Sequence, residues 1–503
     1  MERIGSPLSG ALAAGLALAA GELAAGLVTA VPSLVSGVAT FVIDTAPKPV
    51  KDFAISVFGQ NDKLALGIGI IVVTLLIGAW VGRRSEGRDR LGIGVFAAFG
   101  LAAALAAARD PQAELLPALG GAVVAAVVGI ETLHRLRSWE PAGEEHDTSR
   151  RQFLGRAGAL AVVGIGMAAG GRWLLERARV IAASRDEVDL PLASDPAAPV
   201  PDAASLAVAG ISPVVTPNDE FYRIDTAPFS VPTVDLSTWE MRITGMVDRE
   251  VSFTYDDLLD MSLVERYITL SCVSNEVGGD LVGNALWRGV PLDEILRRAG
   301  VADGAEQIVG RSVDGFTVGF PVEAAFDGRE ALVAVGMNGE PLPFEHGFPA
   351  RLVVAGLYGY VSATKWLSEI ELTTWDAFDA YWIPRGWAKE APIKTQSRID
   401  TPRPRANIEA GPRPIAGVAW APHRGISKVE VQVDDGAWME AELAASLSED
   451  SWRQWRFVWD ATPGNHALRV RATDGDGVTQ DSAIRPPAPD GATGFHTVPV
   501  EVV

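Results

Sequence analysis

The chain of 503 residues carries 63 acidic and 43 basic side chains, a net charge of −20. It shows no basic face interleaved with aromatics, which argues against nucleic acid as a partner, and its single cysteine excludes an intrachain disulfide. Apolar residues make up 48% of the chain but crowd, as Ala, Gly, Leu and Val, before about Trp173, so two different solvents are implied within roughly two to four domains of about 150 residues.

Long apolar runs stand at Leu8 to Val31, Leu64 to Val81, Leu91 to Ala108, Leu115 to Leu133 and Ala157 to Leu175. Each approaches the roughly 20 residues needed to cross a hydrocarbon layer, and their Gly and Ala suit close helix packing in lipid. The first is interrupted by Glu22 and followed by Pro32. Buried helices of a soluble protein are the competing reading, disfavoured by the polar segments that separate the runs. Positive charge concentrates in "RRSEGRDR" (Arg83 to Arg90) and "HRLRSWEPAGEEHDTSRR" (His134 to Arg151), which places those loops in the cytoplasm and everything after Trp173 outside. "TSRRQFLG" (Thr148 to Gly155) is open to two readings, a positive-inside anchor and a twin-arginine-like export signal ahead of the last span. Only His134 lies in the spans or at their edges, so an internal two-histidine haem is not expected.

From Ala182 to Pro217 the chain is rich in Pro, Ala and Asp without a period, which reads as a linker. A mixed α/β region follows. "WEMRITGMV" alternates like a strand, "TYDDLLDM" starts a helix behind Thr254, and "PLDEILRRAG" is helical with Gly300 at its end. After about Thr401 the pattern becomes short alternating strands. "KVEVQVDDGAWMEAEL" carries the turn signal Asp435-Gly436, and the spacing over about 100 residues suggests an immunoglobulin-like sandwich.

Cys272 follows "YITL" and precedes "VSNEVGG", so it is expected where a strand runs into a loop, a good place for chemistry. A buried apolar cysteine is one reading. A hydrolase nucleophile is another, with His346, His423, His466 and His496 as available bases but none in a context typical of a dyad. The third is a thiolate metal ligand, and because no cluster for zinc surrounds it, the other soft ligands would have to come from a cofactor.

"TLSCVSNEVGGDLVGNALWRGVPLDEIL" (Thr269 to Leu296), "ALVAVGMNGEPLPFEHGFPARLVVAGLYGYVSATKWLSEIEL" (Ala331 to Leu372) and "TPNDEFYRID" (Thr216 to Asp225) resemble the sulfite oxidase family of molybdopterin-dependent oxidoreductases. The likeness covers about Ser212 to the C-terminus and suggests a membrane-anchored bacterial member related to the periplasmic methionine sulfoxide reductase catalytic subunit. It implies a molybdenum-molybdopterin cofactor whose dithiolene supplies two sulfurs, with Cys272 as the protein's metal ligand. "HGFPAR" resembles the segment that holds the pterin, giving His346 and Arg351; "SATKW" gives Ser362 and Lys365. Asn218, Tyr222 and Arg223 match the family's cofactor-lining segment, Ser312 falls near another contact, and Tyr381 in "DAYW" resembles a tyrosine that faces the metal. Three departures stand out. Ala355-Gly356 replaces Pro-Gly, "SATKW" is one residue longer than usual, and "NEV" follows Cys272 where sulfite-oxidising members carry Asn-Arg-Arg.

The expectation is thus a multidomain chain: residues 1–181 a transmembrane α-helical region of about five spans, 182–211 a linker, 212–400 an α+β sulfite-oxidase-like molybdopterin domain, and 401–503 an immunoglobulin-like β-sandwich of the kind that mediates dimerisation in the family. It would sit in the cytoplasmic membrane with the catalytic domain outside. It would exchange electrons with a separate protein or a quinone, since no internal haem, flavin or iron–sulfur cluster is expected, and would transfer an oxygen atom to or from a small S- or N-oxide, or sulfite. The alternative from another class is a cofactor-free binding module on the same fold.

Overall fold

The computed structural model describes residues 6–28, 31–58, 62–84, 89–109, 114–139, 147–182, 185–226, 231–232 and 234–503. The chain divides into two compact units, one of residues 1–184 with 226–233, the other of 185–225 with 234–503.

In the first unit, five described helices are long and apolar enough to cross a membrane: Pro7–Leu27, Lys63–Arg84, Arg90–Ala107, Leu115–Ser138 and Arg151–Leu175. They coincide with the five apolar runs. Two shorter helices, Leu34–Thr45 and Lys48–Phe58, fall where the sequence announced none. Helix Pro7–Leu27, whose sequence is the most interrupted, is the one packed against three of the other long helices. Its small residues explain this. A Cβ at Gly10 would collide with the backbone of Gly78 and Gly82, and one at Gly26 with Gly171, so glycine on both sides lets backbones touch. Glu22 is buried yet satisfied. Its carboxylate accepts from Ser33 Oγ at 2.8 Å and from the Val35 N–H at 3.3 Å, at the N-terminus of helix Leu34–Thr45, where backbone N–H groups favour an anion.

The second unit is built on four sheets. One has the order Val251–Thr254, Glu240–Gly245, Leu367–Thr373, Gln307–Ser312, Thr317–Pro321. Another begins with the edge strand Val264–Ser271, continues through Val282–Pro291 to Ala331–Met337, and adds Arg351–Val354 antiparallel to the last. The local signals hold. Thr254 and Asp257 form a capping box before helix Tyr255–Leu259, and helix Leu292–Ala299 ends at Gly300 with φ +75°.

The C-terminal residues form two further sheets, of four and five strands, around a shared core that includes Trp455, Val429, Leu468 and Val498. Trp420 and Trp452 from this region belong instead to the core of the α+β part, beside Leu352 and Val354. The segment read as a linker has almost no secondary structure but is fastened along the unit. Ser194 N–H donates to Leu263 O at 2.8 Å, Arg185 Nε to Leu342 O at 2.9 Å and Leu206 N–H to Gln454 Oε1 at 2.8 Å. Some of its backbone N–H groups close short local turns, as Val188 on Arg185 O and Ala204 on Pro201 O, while others find partners on neighbouring elements.

Candidate active site

Strand Val264–Ser271 delivers Cys272 to a loop that closes on itself. The Cys272 N–H donates to Leu281 O at 2.9 Å, the Asn275 N–H to Cys272 O at 3.1 Å, and the Leu281 N–H to Asn275 Oδ1 at 3.0 Å. The thiol is buried, with Sγ 2.9 Å from Ser274 Oγ. Burial pushes the thiol up from its ordinary value, while the Ser274 hydrogen bond and the Lys365 ammonium act in the other direction.

Strand Arg351–Val354 and the turn before it supply the next groups. A 3-10 turn, Phe344–His346, ends at Gly347 with φ +112°. A Cβ there would come within 3.0 Å of Lys365 Cα and 3.2 Å of Arg351 Cβ, so the glycine is what lets two cations approach one point. His346 Nε2 pairs with the Asn218 carbonyl at 2.9 Å. A carbonyl only accepts, so Nε2 carries the proton; burial holds the imidazole down at about 4, leaving Nδ1 an acceptor at neutral pH.

Arg351 is 4% exposed, donates from Nη1 to His346 O at 3.0 Å, and lies over the Trp287 ring at 4.9 Å. Burial lowers its pKa to about 10. Lys365 Nζ reaches Glu345 O at 2.9 Å and Asp225 Oδ2 at 3.3 Å; burial first, with the Arg351 and Arg223 charges adding against the pull of Asp225, brings it to about 8. Arg223 shares the same carboxylate at 2.7 Å. Among the described ion pairs Arg351 takes part in none, so a buried guanidinium beside two further cations has no anion of its own. A buried charge without a partner is costly, and the arrangement fits an anionic group such as a phosphate.

The structure therefore gathers Cys272, Tyr222, Arg223, His346, Arg351 and Lys365, with Asn218 as the residue that orients His346. Burial drives the Tyr222 phenol above its ordinary range, with Cys272 and Arg351 the charges that act on it most. Two nominated serines bond within their own segments, Ser312 also to the Asp314 carboxylate. Ser362 Oγ donates to Tyr358 O at 3.1 Å, and Ser312 Oγ accepts from the Asp314 N–H at 3.4 Å. Tyr381 lies in an aromatic group with Phe316 and Trp382, its ring 3.7 Å from the Arg385 guanidinium carbon. Three residues escaped the sequence reading. Asp225 holds two of the cations, and its place two residues after Arg223 was the available signal. Asp314 is a half-buried acid, its carboxyl raised by desolvation and acted on by Asp225 and Lys365. Tyr358, pushed up to about 12 by burial, is near enough to Cys272 to interact with its charge.

The model of the oxidoreductase molybdopterin binding domain matches residues 228–382. These hold Cys272, His346, Arg351 and Lys365. The chain therefore carries an oxidoreductase molybdopterin binding domain. Mitochondrial sulfite oxidase from Mus musculus is 28% identical over 321 residues, 54% of this chain and 58% of that protein. Nitrate reductase [NAD(P)H] from Hordeum vulgare is 34% identical over 167 residues, 28% of this chain and 19% of that protein. The crystal structure of the sulfane dehydrogenase SoxCD from Paracoccus pantotrophus shares the fold, with a TM-score of 0.50 and 23% identity over 59% of this chain and 82% of that one. The chain thus spans little more than half the length of the sulfite oxidases it matches. The cofactor of this domain is molybdenum-molybdopterin.

Proposed function

We propose that this chain is a member of the sulfite oxidase family, a membrane-anchored oxidoreductase whose exported domain transfers an oxygen atom on a small neutral S- or N-oxide. When bound, the molybdenum-molybdopterin group supplies oxygen-atom transfer coupled to two electrons. The chain's own residues bind and orient it. Cys272 offers the thiolate ligand, Ser274 a hydroxyl beside that sulfur, and Arg351, Lys365 and Arg223 the charge for a phosphate. His346, held by the Asn218 carbonyl, presents an acceptor. The observation that carries this reading is the buried, anion-less Arg351 in the same constellation as Cys272.

The substrate reading rests on where the remaining cations go. Sulfite is a small dianion, best held by several guanidinium or ammonium groups. Arg223 is paired with Asp225, Lys389 with Asp379 at 2.7 Å, and Arg385 stacks on Tyr381 and donates to its carbonyl. The loop after Cys272 offers Asn275, whose Oδ1 is taken by Leu281, and exposed Glu276. Nothing there favours an anion.

The five long apolar helices, with basic segments after the second and the fourth, support a multi-pass anchor in the cytoplasmic membrane and an extracytoplasmic catalytic unit. Electrons would pass to or from a separate protein or a quinone, and the two C-terminal sheets suit an immunoglobulin-like module able to pair two copies. The test has two parts. Purified protein is to contain molybdenum and pterin in equal amounts to chain, and Cys272→Ser is to lose molybdenum while keeping its fold, since an alcohol is a poor soft ligand. Steady-state assays of sulfite with an artificial acceptor are then set against methionine sulfoxide and trimethylamine oxide with an artificial donor; higher kcat/KM on sulfite overturns the substrate reading.

A further inference from the structure

The C-terminal β region touches the cysteine segment on both sides of Cys272. Upstream, residues 448–452 run along the open edge of strand Val264–Ser271. Ser448 Oγ donates to Tyr267 O at 2.9 Å, the Thr269 N–H to Asp450 O at 2.9 Å, and the Trp452 N–H to Thr269 Oγ1 at 2.7 Å. Downstream, the far end of the cysteine loop rests on two side chains. Arg398 Nη1 donates to Gly279 O at 2.8 Å, while its Nε is tied to Asp400 Oδ1 at 2.6 Å and its Nη2 to Ser212 Oγ at 2.8 Å. The His496 ring is fixed by the Ile399 N–H, which donates to Nδ1 at 3.0 Å. Gly278, with φ +80°, lies so close that a Cβ there would collide with the ring at Cδ2 and Nε2.

The geometry points to Arg398 and His496 as positioning residues for Cys272, a role for the C-terminal region separate from pairing two copies. The loop from Cys272 to Leu281 is closed by its own hydrogen bonds, so a shift at Gly278-Gly279 is carried to the cysteine rather than absorbed. Arg398 holds the loop by a charge-assisted bond while three of its own nitrogens are occupied, which leaves it one orientation. His496 accepts at Nδ1 and is therefore neutral, and its ring acts as a wall. Only glycine can lie against that wall, because both the positive φ and the missing Cβ are needed. A ligand held within a fraction of an ångström needs this kind of outer support.

The inference rests on Cys272 being the metal ligand, and the lone thiol makes it measurable without turnover. Any alkylation by iodoacetamide, read by intact mass on the full chain in detergent, reports Cys272 alone. Molybdenum is quantified in the same samples. Wild type is expected to react slowly, and Arg398→Met and His496→Ala about tenfold faster as the loop opens locally, with thermal midpoints near that of wild type and a changed electron paramagnetic signature of the metal. Arg398→Lys, which keeps the charge, recovers part of the protection. Should Arg398→Met fail to fold, Gly278→Ala decides: it drives a methyl into the His496 ring and speeds alkylation beyond His496→Ala alone, and adding His496→Ala removes the clash, though not the strain at φ +80°, and slows it in part. Folded variants as slow as wild type, or a Gly278→Ala effect that His496→Ala does not relieve, overturn the positioning role. Fast alkylation of wild type at full molybdenum content instead defeats Cys272 as ligand, while the comparison among variants still reads the loop.

Discussion

Arg351 shows how one residue can be costly to the fold and useful to the site. Its guanidinium is buried among carbonyls, a ring and a neighbouring cation, with no anion among its described ion pairs. Removing an unpaired buried charge is neutral or stabilising for a protein without its anion. Arg351→Met is therefore expected to melt no lower than wild type when free of cofactor, yet to retain the cofactor roughly thirtyfold less well, given about 2 kcal/mol for a hydrogen bond to a charged group. Dialysis followed by molybdenum analysis, beside thermal unfolding, separates the two effects. Asp450 gives a second contrast. Burial raises its carboxyl to about 6, above the ordinary 3.8, and its Oδ1 has no partner. Between those values the folded state keeps a proton that the unfolded chain has lost, so this group's contribution to stability falls as pH rises through the window and stays low above it. Asp450→Asn should thus stabilise at pH 7.5 by up to about 3 kcal/mol, at 1.36 kcal/mol per unit, and do nothing at pH 3.5. Denaturant midpoints at the two pH values check it.

At the scale of elements, local signals succeeded where they were local. The capping box at Thr254, the glycine stop at Gly300 and the strand ahead of Cys272 all depend on neighbours a few residues away. The stretch Lys428 to Leu443 shows the limit. It reads as one hairpin about Asp435-Gly436, but Met439–Glu440 pairs with Ile426–Val433 whereas Glu442–Leu443 crosses to the other sheet and pairs with Arg453–Ala461. Buried Ala441 sits at the crossing, its N–H on Val429 O. Alternation specifies faces, not which sheet supplies the partner. Among the helices, the glycines differ in what they face. Gly10→Leu should break the packing of helix Pro7–Leu27, whereas Gly94→Leu, with open space beyond its Cα, should be tolerated. Thermal melting in detergent is expected to drop by several degrees for the first and not for the second.

For the whole molecule, placement across the membrane is the property a substitution can test most directly. Arg150→Lys with Arg151→Lys preserves charge, so an anchor acting by charge alone is unaffected, whereas a twin-arginine signal is lost. The expectation is loss of protease-accessible catalytic domain on spheroplasts; unchanged accessibility leaves only the charge anchor. The sequence by itself determined what depends on composition and order: five apolar stretches, a strand ending at the one cysteine, and the motif residues His346, Arg351 and Lys365, because solvent preference, propensity and short motifs are carried by adjacent residues. It overlooked Asp225, Asp314 and Tyr358, and it treated residues 182–211 as a bare tether and the C-terminal strands as a module apart. Only tertiary structure brought Asp225 onto two cations, turned the Ser362 hydroxyl back to its own helix, centred the interrupted helix Pro7–Leu27 among its neighbours, and set Arg398 and His496 behind the loop of Cys272. The pairings of Asp225 with Lys365, Arg398 with Gly279 and His496 with Gly278 join residues more than a hundred positions apart, and burial, which no local pattern encodes, decides what each of them costs and holds.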